Sequence, residues 1–183
     1  MKVFVIGGVA AGTKTAAKLK RENRDAEVTI LTKDKDISYA GCGLPYYVGN
    51  LIETREELVV NTPAKFAGLT GVTVHTNREA VCLDPASKTL QAKNLETNET
   101  ETYSYDRLVI ATGASPVIPP IPGTDKKGVF KMRTPDDAVS MRSYIETENV
   151  KKAVVIGAGF IGLEVAENLK AQGLSVTVID IAS

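Results

Sequence analysis

The spacing of apolar positions along the chain changes several times, and each change marks an element. A β-branched, apolar run over Lys2–Ile6 ends in Gly7 and Gly8, and a helical pattern carrying Ala11, Ala16, Ala17 and Leu19 follows before a second apolar run at 28–31. Strand, helix and strand in that order predict a parallel pair joined by a right-handed crossover. After a polar loop, Thr62-Pro63 predicts a helix start, with threonine as N-cap and proline in the first helical position. Short runs at 72–75, 80–83, 89–92 and 100–103 predict strands, and the turn-rich 94–99 joins the last two as a hairpin. A buried strand at 108–111 ends in Thr112-Gly113, the proline-rich 115–123 predicts a linker, and Pro135–Thr147 predicts a helix. The stretch 152–180 then repeats the opening strand, helix and strand.

That repeat is the main organisational signal. In the second copy Ala153-Val154-Val155-Ile156 leads into Gly157-Ala158-Gly159-Phe160-Ile161-Gly162, then a helix, then Val176-Thr177-Val178-Ile179 ending at Asp180. Gly157 permits a tight turn, Gly159 lets the backbone approach a pyrophosphate, and Gly162 lets helix and strand pack, while the helix N-terminus offers N–H groups to the phosphates. Asp180 stands where a carboxylate accepts from both ribose hydroxyls and repels a 2′-phosphate, so NADH is expected in preference to NADPH. The first copy, Gly7-Gly8-Val9-Ala10-Ala11-Gly12, keeps the outer glycines and has Val9 at the middle position. Its second strand ends at Thr32 where an acid is expected, with Asp34 and Asp36 close behind. Phosphate binding is expected at both turns.

Composition narrows the class. The 183 residues are 43% hydrophobic and 24% charged, as in an ordinary soluble globular protein. Lys+Arg and Asp+Glu both number 22, so no net field gathers nucleic acid or an anionic membrane, and no apolar stretch reaches a bilayer-spanning length. The opening apolar run is too short for a signal peptide, and two cysteines make no disulfide framework, so a cytoplasmic protein with reduced thiols is expected.

Those cysteines differ in context. Cys42 lies in Ser38-Tyr39-Ala40-Gly41-Cys42-Gly43-Leu44-Pro45-Tyr46-Tyr47-Val48-Gly49. A short helix beginning just after Gly41 would put its thiol at the N-terminus, where the dipole favours a thiolate able to attack a disulfide. Cys82, in an apolar strand before Leu83-Asp84-Pro85, is expected to be a buried structural residue.

With these segments in view the sequence resembles the single-cysteine branch of the FAD-dependent pyridine nucleotide-disulfide oxidoreductases, which includes coenzyme A-disulfide reductases, NADH oxidases and persulfide reductases. The resemblance covers the whole chain. It rests on Val5-Ile6-Gly7-Gly8, on Ile37-Ser38 leading to Cys42 and Leu44-Pro45-Tyr46, on Tyr105-Asp106, on Ala111-Thr112-Gly113, and on 157–164. The two-cysteine branch has its partner thiol where this chain has Tyr47. The resemblance implies an α/β fold: a Rossmann-like FAD-binding domain with inserted antiparallel strands over 1–113, a linker and connecting helix over 114–150, and the first β-α-β of a second Rossmann-like, NAD-binding domain over 151–183.

It also implies roles. Gly7, Gly8, Ala11 and Gly12 hold the FAD pyrophosphate, Thr32 ends the FAD-side strand, and Ala111, Thr112 and Gly113 pass close to the flavin. Gly157, Gly159, Gly162 and Asp180 take NADH. Cys42 lies against the flavin and cycles between thiolate and a mixed disulfide with coenzyme A or a sulfenic acid. Ser38, Lys20 and Arg21 match positions that contact coenzyme A, and on the residues alone they read equally as a polar loop residue and a surface charge pair. Gly41 replaces the asparagine usual in the reductases, whereas 43–47 is more like the reductases than the oxidases. Relatives of this kind are homodimers more than twice as long, so two readings stand: part of an NADH-dependent flavoenzyme acting on a small thiol disulfide, with oxygen or persulfide as the other acceptors, or, as a free polypeptide, an inactive nucleotide-binding fragment.

Overall fold

A four-stranded parallel sheet organises the first half of the chain. The structure, a computed structural model, describes residues 1–181. In chain order the elements are β1 (Lys2–Ile6), α1 (Ala10–Glu22), β2 (Glu27–Leu31), a 3-10 turn (Gly41–Gly43) running into α2 (Leu44–Val48), a further 3-10 turn (Glu56–Leu58), and α3 (Pro63–Thr70). Then come β3 (Thr73–His75), β4 (Arg78–Asp84), β5 (Thr89–Asn94), β6 (Thr100–Ser104), β7 (Arg107–Ile110), α4 (Pro135–Thr147), β8 (Lys152–Ile156), α5 (Phe160–Ala171) and β9 (Ser175–Ile179). They form two compact units. Met1–Tyr39 with Val59–Ala114 makes one, and Ala40–Leu58 with the chain from Ser115 onward makes the other.

In the first unit the parallel sheet has the order β3-β2-β1-β7. β1 and β2 are buried along nearly their whole length, as a sheet covered on both faces requires, with successive side chains pointing to opposite faces. Val5, Val28 and Ile30 join Ala16 of α1 and Phe66 of α3 in one core, while Phe4, Ile6 and Leu31 join Leu90 and Ala92 of β5 in another. The antiparallel β4-β5-β6 sheet that supplies Leu90 also clips on through a polar contact. The Tyr103 ring stacks on Phe4 with centroids 5.2 Å apart, its hydroxyl donates to Glu101, and Glu101 pairs with Arg78 at 3.2 Å. The tyrosine hydroxyl, more than the arginine, holds the Glu101 carboxyl below its ordinary 4.5, and burial raises the Tyr103 hydroxyl. The helix start at Thr62 is as expected, its hydroxyl accepting the Lys65 amide at 3.2 Å.

The strand predicted at 72–75 is β3, which pairs in parallel with β2. One expectation is corrected here: Cys82 is exposed, not buried. It sits on the edge strand β4, next to a register shift between Ala80 and Cys82, in a half of the strand that nothing covers. Apolar neighbours in sequence bury a strand only when another layer lies on it.

In the second unit β8 and β9 pair in parallel, and α5, α4 and α2 lie on one face. Leu44, Val48, Ala138, Val165, Leu169 and Leu174 form its core, against which Ala153, Val155 and Val176 pack. The other face leaves Val154 61% and Ile156 64% exposed. α4 opens with a capping box: the Thr134 hydroxyl accepts the Asp137 amide at 3.2 Å and the Asp137 carboxylate accepts the Thr134 amide at 2.8 Å. Among the described residues no helix is long and apolar enough to cross a membrane.

Because the Glu101 carboxyl is lowered in the folded protein, its stabilising effect is complete above pH 4.5 and fades as pH falls through the lower folded value. Urea unfolding of Glu101→Gln is therefore expected to show a stability deficit at about pH 6 that closes at about pH 3. An equal deficit at both would exclude an ionised Glu101 as its source.

Candidate functional site

The two halves of the repeat build the same turn from the same contacts. Gly7 and Gly157 adopt φ of +112° and +103°, where side chains are disfavoured, and each amide donates to the end of the neighbouring strand at 2.8 Å, Gly7 to Leu31 and Gly157 to Ile179. A Cβ on Gly12 would overlap the Gly7 carbonyl, and one on Gly162 would overlap that of Gly157. Behind them, at 3.4 Å in both cases, stand Val5 and Val155. The helices that follow, α1 after Val9 and α5 after Gly159, have no side-chain cap. Their first amides are thus presented to an anion at the positive end of the dipole.

Between the outer glycines the copies diverge. A Cβ on Gly8 would come within 2.7 Å of Ile37 and 3.1 Å of Thr32, so this glycine is needed by packing. Around Gly159 there is nothing within 4 Å, so the second turn is open to an approaching group. Ala11 is exposed on the first turn of α1.

The strand ends also differ. Pairing of Ile6 with Leu31 and of Ile156 with Ile179 makes Thr32 and Asp180 the equivalent next residues. Thr32 is buried at 4% exposure, and its hydroxyl accepts the Asp34 amide at 3.4 Å. Its backbone joins β3 and β4, the amide donating to His75 and the carbonyl accepting from Arg78. Thr32 is therefore a packed joint between β2, β3 and β4. Asp180 accepts the Ala158 amide at 2.5 Å, across the mouth of its own turn. A carboxylate accepts several hydrogen bonds, so this one is compatible with a ribose diol.

Other predicted residues converge on the first turn. The chain leaving β7 crosses it so closely that a Cβ on Gly7 would overlap the Ala111 carbonyl and lie 3.3 Å from the Thr112 nitrogen. Gly113 then turns away at φ +69°. Ser38, at φ +50°, donates its amide to Gly8 at 2.8 Å, and its hydroxyl accepts from the Asn61 amide at 3.4 Å. A serine held in the left-handed region by contacts on both sides is a strained position of the kind found at ligand sites. Gly7, Gly8, Gly12, Thr32, Ser38 and Ala111 thus form one constellation in the first unit.

Cys42 belongs to the second unit. It is exposed, the middle residue of the 3-10 turn at the head of α2. Below it Gly43 is fixed by its amide on Ala40 at 2.9 Å and by Ile52 and Leu58, 3.0 and 3.3 Å from where a Cβ would be. Gly41 has nothing within 4 Å. The thiol is therefore held on a fixed backbone yet open to a reagent. Tyr47, at the position of a second cysteine, is buried with its ring under the Arg142 guanidinium at 4.7 Å.

Lys20 and Arg21 come together at an open depression of about 450 Å³ in the first unit, lined also by Ala17, Arg24, Leu69 and Thr70. The Lys20 ammonium is engaged by the carbonyls of Arg24 and Ala26, both at 2.7 Å. Arg24 was missed on sequence, although it falls one turn after Lys20. Among the described residues no group of side chains is arranged to hold a metal ion.

The family model for pyridine nucleotide-disulphide oxidoreductases matches residues 1–183. The chain belongs to that family. Over 178 residues it is 39% identical to a coenzyme A disulfide reductase of Staphylococcus haemolyticus, and over 182 residues 38% identical to an NADH oxidase of Methanocaldococcus jannaschii. These alignments take in 97% and 100% of this chain but 40% of each relative. Among solved structures, reduced CoADR-RHD of Bacillus anthracis superposes with a TM-score of 0.96 at 38% identity, over 99% of this chain and 33% of that one. The chain therefore spans about 40% of the length of the curated relatives it matches. Its α/β fold, with a parallel and an antiparallel sheet, is that of the family.

Gly12→Ala and Gly162→Ala are each expected to cost about 1–3 kcal/mol in urea unfolding, because the methyl group meets backbone that cannot retreat. Gly159→Ala is expected to stay within about 0.5 kcal/mol, its surroundings being empty. Equal costs at all three positions would contradict the packing described.

Proposed function

We propose that this chain forms part of an FAD- and NADH-dependent disulfide reductase acting on coenzyme A disulfide or a related small thiol disulfide or persulfide. The observation that carries the proposal is the exposed Cys42 thiol at the head of α2, in a chain that also holds two pyrophosphate-shaped glycine turns. The first turn fits FAD: Gly7 and Gly12 leave no room for a side chain, the α1 amides are uncapped, and Ala111 to Gly113 lie over it. The second fits NADH: Gly159 is open and Asp180 stands at the strand end, where its charge disfavours a 2′-phosphate. By ligand, the chain divides into an FAD part over 1–113, a connector over 114–150 and the start of a nucleotide domain over 151–183.

In the reaction the Cys42 thiolate attacks one sulfur of the substrate disulfide. The substrate S–S bond breaks, a mixed disulfide with Cys42 forms, and the departing thiolate takes a proton from solvent. FAD, held by the first glycine turn, would supply the route for two electrons from NADH; with them the mixed disulfide opens, Cys42 returns to the thiolate and the second thiol is released. Ser38 and the basic depression of Lys20, Arg21 and Arg24 suit the phosphates of a coenzyme A-like thiol, the arginines as bidentate donors. The relative named as an NADH oxidase supports a second reading, in which hydrogen peroxide, from two-electron reduction of oxygen, would be attacked by the Cys42 thiolate, the O–O bond breaking to leave Cys42 as a sulfenic acid and release hydroxide. Residues 43–47 and the basic depression favour the disulfide. A cytoplasmic setting and a homodimer are part of this proposal, on the resemblance to the family.

In the full-length protein Cys42→Ser is expected to abolish NADH-dependent cleavage of coenzyme A disulfide, by at least about 10²-fold, while flavin absorbance is retained. Full turnover in that variant would remove Cys42 from the reaction, and a colourless 183-residue chain that takes up no FAD would mark this piece as inactive alone. Asp180→Ala is expected to weaken NADH roughly tenfold and to narrow its advantage over NADPH, read from KM values for the two nucleotides. An unchanged ratio of those values would mean that ribose is recognised elsewhere.

A further inference from the structure

Helix α2 is five residues long, too short to be stable alone, so its geometry is set by what holds its ends. Its carbonyl end is held by two other helices of the same unit. From α4, Arg142 donates to the carbonyls of Tyr47, Ile52 and Glu53 at 3.4, 3.2 and 3.1 Å, with its plane over the Tyr47 ring. The far side of the guanidinium is fixed by Glu146 at 3.1 Å, and the side chain is only 21% exposed. From α5, Gln172 donates to the carbonyl of Val48, and the buried Asn168 packs so tightly on Gly49 that a Cβ there would overlap it.

We propose that Arg142 is a positioning residue for Cys42, an inference that rests on the reading of Cys42 as the reacting sulfur. One planar cation ties the last turn of α2 to the returning loop at 52 and 53, and its charge complements the negative end of the helix. Ile52, whose carbonyl the guanidinium holds, also stands 3.0 Å from where a Cβ on Gly43 would be, so the anchored loop is packed under the 3-10 turn that carries Cys42 and keeps its thiol at one exposed position. Lysine keeps the charge and can reach these carbonyls, which all accept from Nη1, but it has neither the separate Nε donor to Glu146 nor the planar stacking on tyrosine, so it replaces arginine only in part.

The test uses the chain's two exposed cysteines, one in each unit, as probe and internal control. The 183-residue protein is treated with iodoacetamide at one pH and the labelling rates of Cys42 and Cys82 are followed separately by peptide mass spectrometry. In the parent protein Cys42 is expected to react faster. In Arg142→Met the Cys42 to Cys82 rate ratio is expected to fall roughly three- to tenfold, the scale of a lost charge-assisted hydrogen bond. Arg142→Lys is expected to recover part of that loss, and Leu169→Ala, which loosens the same core without touching those carbonyls, is expected to keep the parent ratio. An unchanged ratio in Arg142→Met, a lysine variant as impaired as methionine, or an equal fall in Leu169→Ala would overturn the assignment. A parent Cys42 no faster than Cys82 would instead bring down the underlying reading of the cysteine.

Discussion

A carbonyl oxygen pressed against a glycine Cα governs this structure. In each half of the repeat the first glycine of the turn points its carbonyl at the last one, and only hydrogen fits between them. That contact fixes how far the helix starts from the strand, and so decides where the unpaired amides of the helix end lie. It also keeps Val5 and Val155 directly beneath, joining the turn to the core of its unit. A set of uncapped helix amides at the mouth of each turn is thus a by-product of close packing, made without any charged side chain.

The same backbone can then be given different edges. Asp180 puts a carboxylate at the mouth of its turn, while Thr32 at the equivalent place turns inward, packs on Gly8 and splices two further strands onto the sheet. Through its backbone Thr32 also joins the sheet to β4, the first strand of the antiparallel layer. Tyr103, Glu101 and Arg78 complete that attachment around the Phe4 ring.

Much of this was legible in the sequence because it is local. The apolar runs of β1 and β2, the glycine spacing, the Thr62-Pro63 helix start and the strand-helix-strand pattern of the repeat all act over short stretches of chain, and the structure has each of them. The capping box of Thr134 and Asp137 was also there to be read, three residues apart. What escaped depends on distant partners. Cys82 looked buried because its neighbours are apolar, yet no layer covers the edge strand it occupies. Arg142 carried no local signal, since the carbonyls it binds lie about ninety residues earlier. The role of Lys20 was half visible: the cluster of basic residues could be read, but not the two carbonyls that occupy its ammonium.

The route of the chain through its two compact units carries a practical consequence. Residues 40–58 leave the first unit after Tyr39, settle among α4 and α5, and hand the chain back at Val59, where Tyr39 and Val59 close the excursion with a bridge. The units are therefore interlaced along the polypeptide, and no single cut separates them. An expression boundary drawn after residue 114 would preserve the parallel sheet but strip Leu44, Val48 and Leu58 of the surface that buries them. Recombination between relatives faces the same arithmetic: a crossover after residue 114 exchanges the helices that cradle the cysteine without exchanging the cysteine, so the two faces of that core must change together.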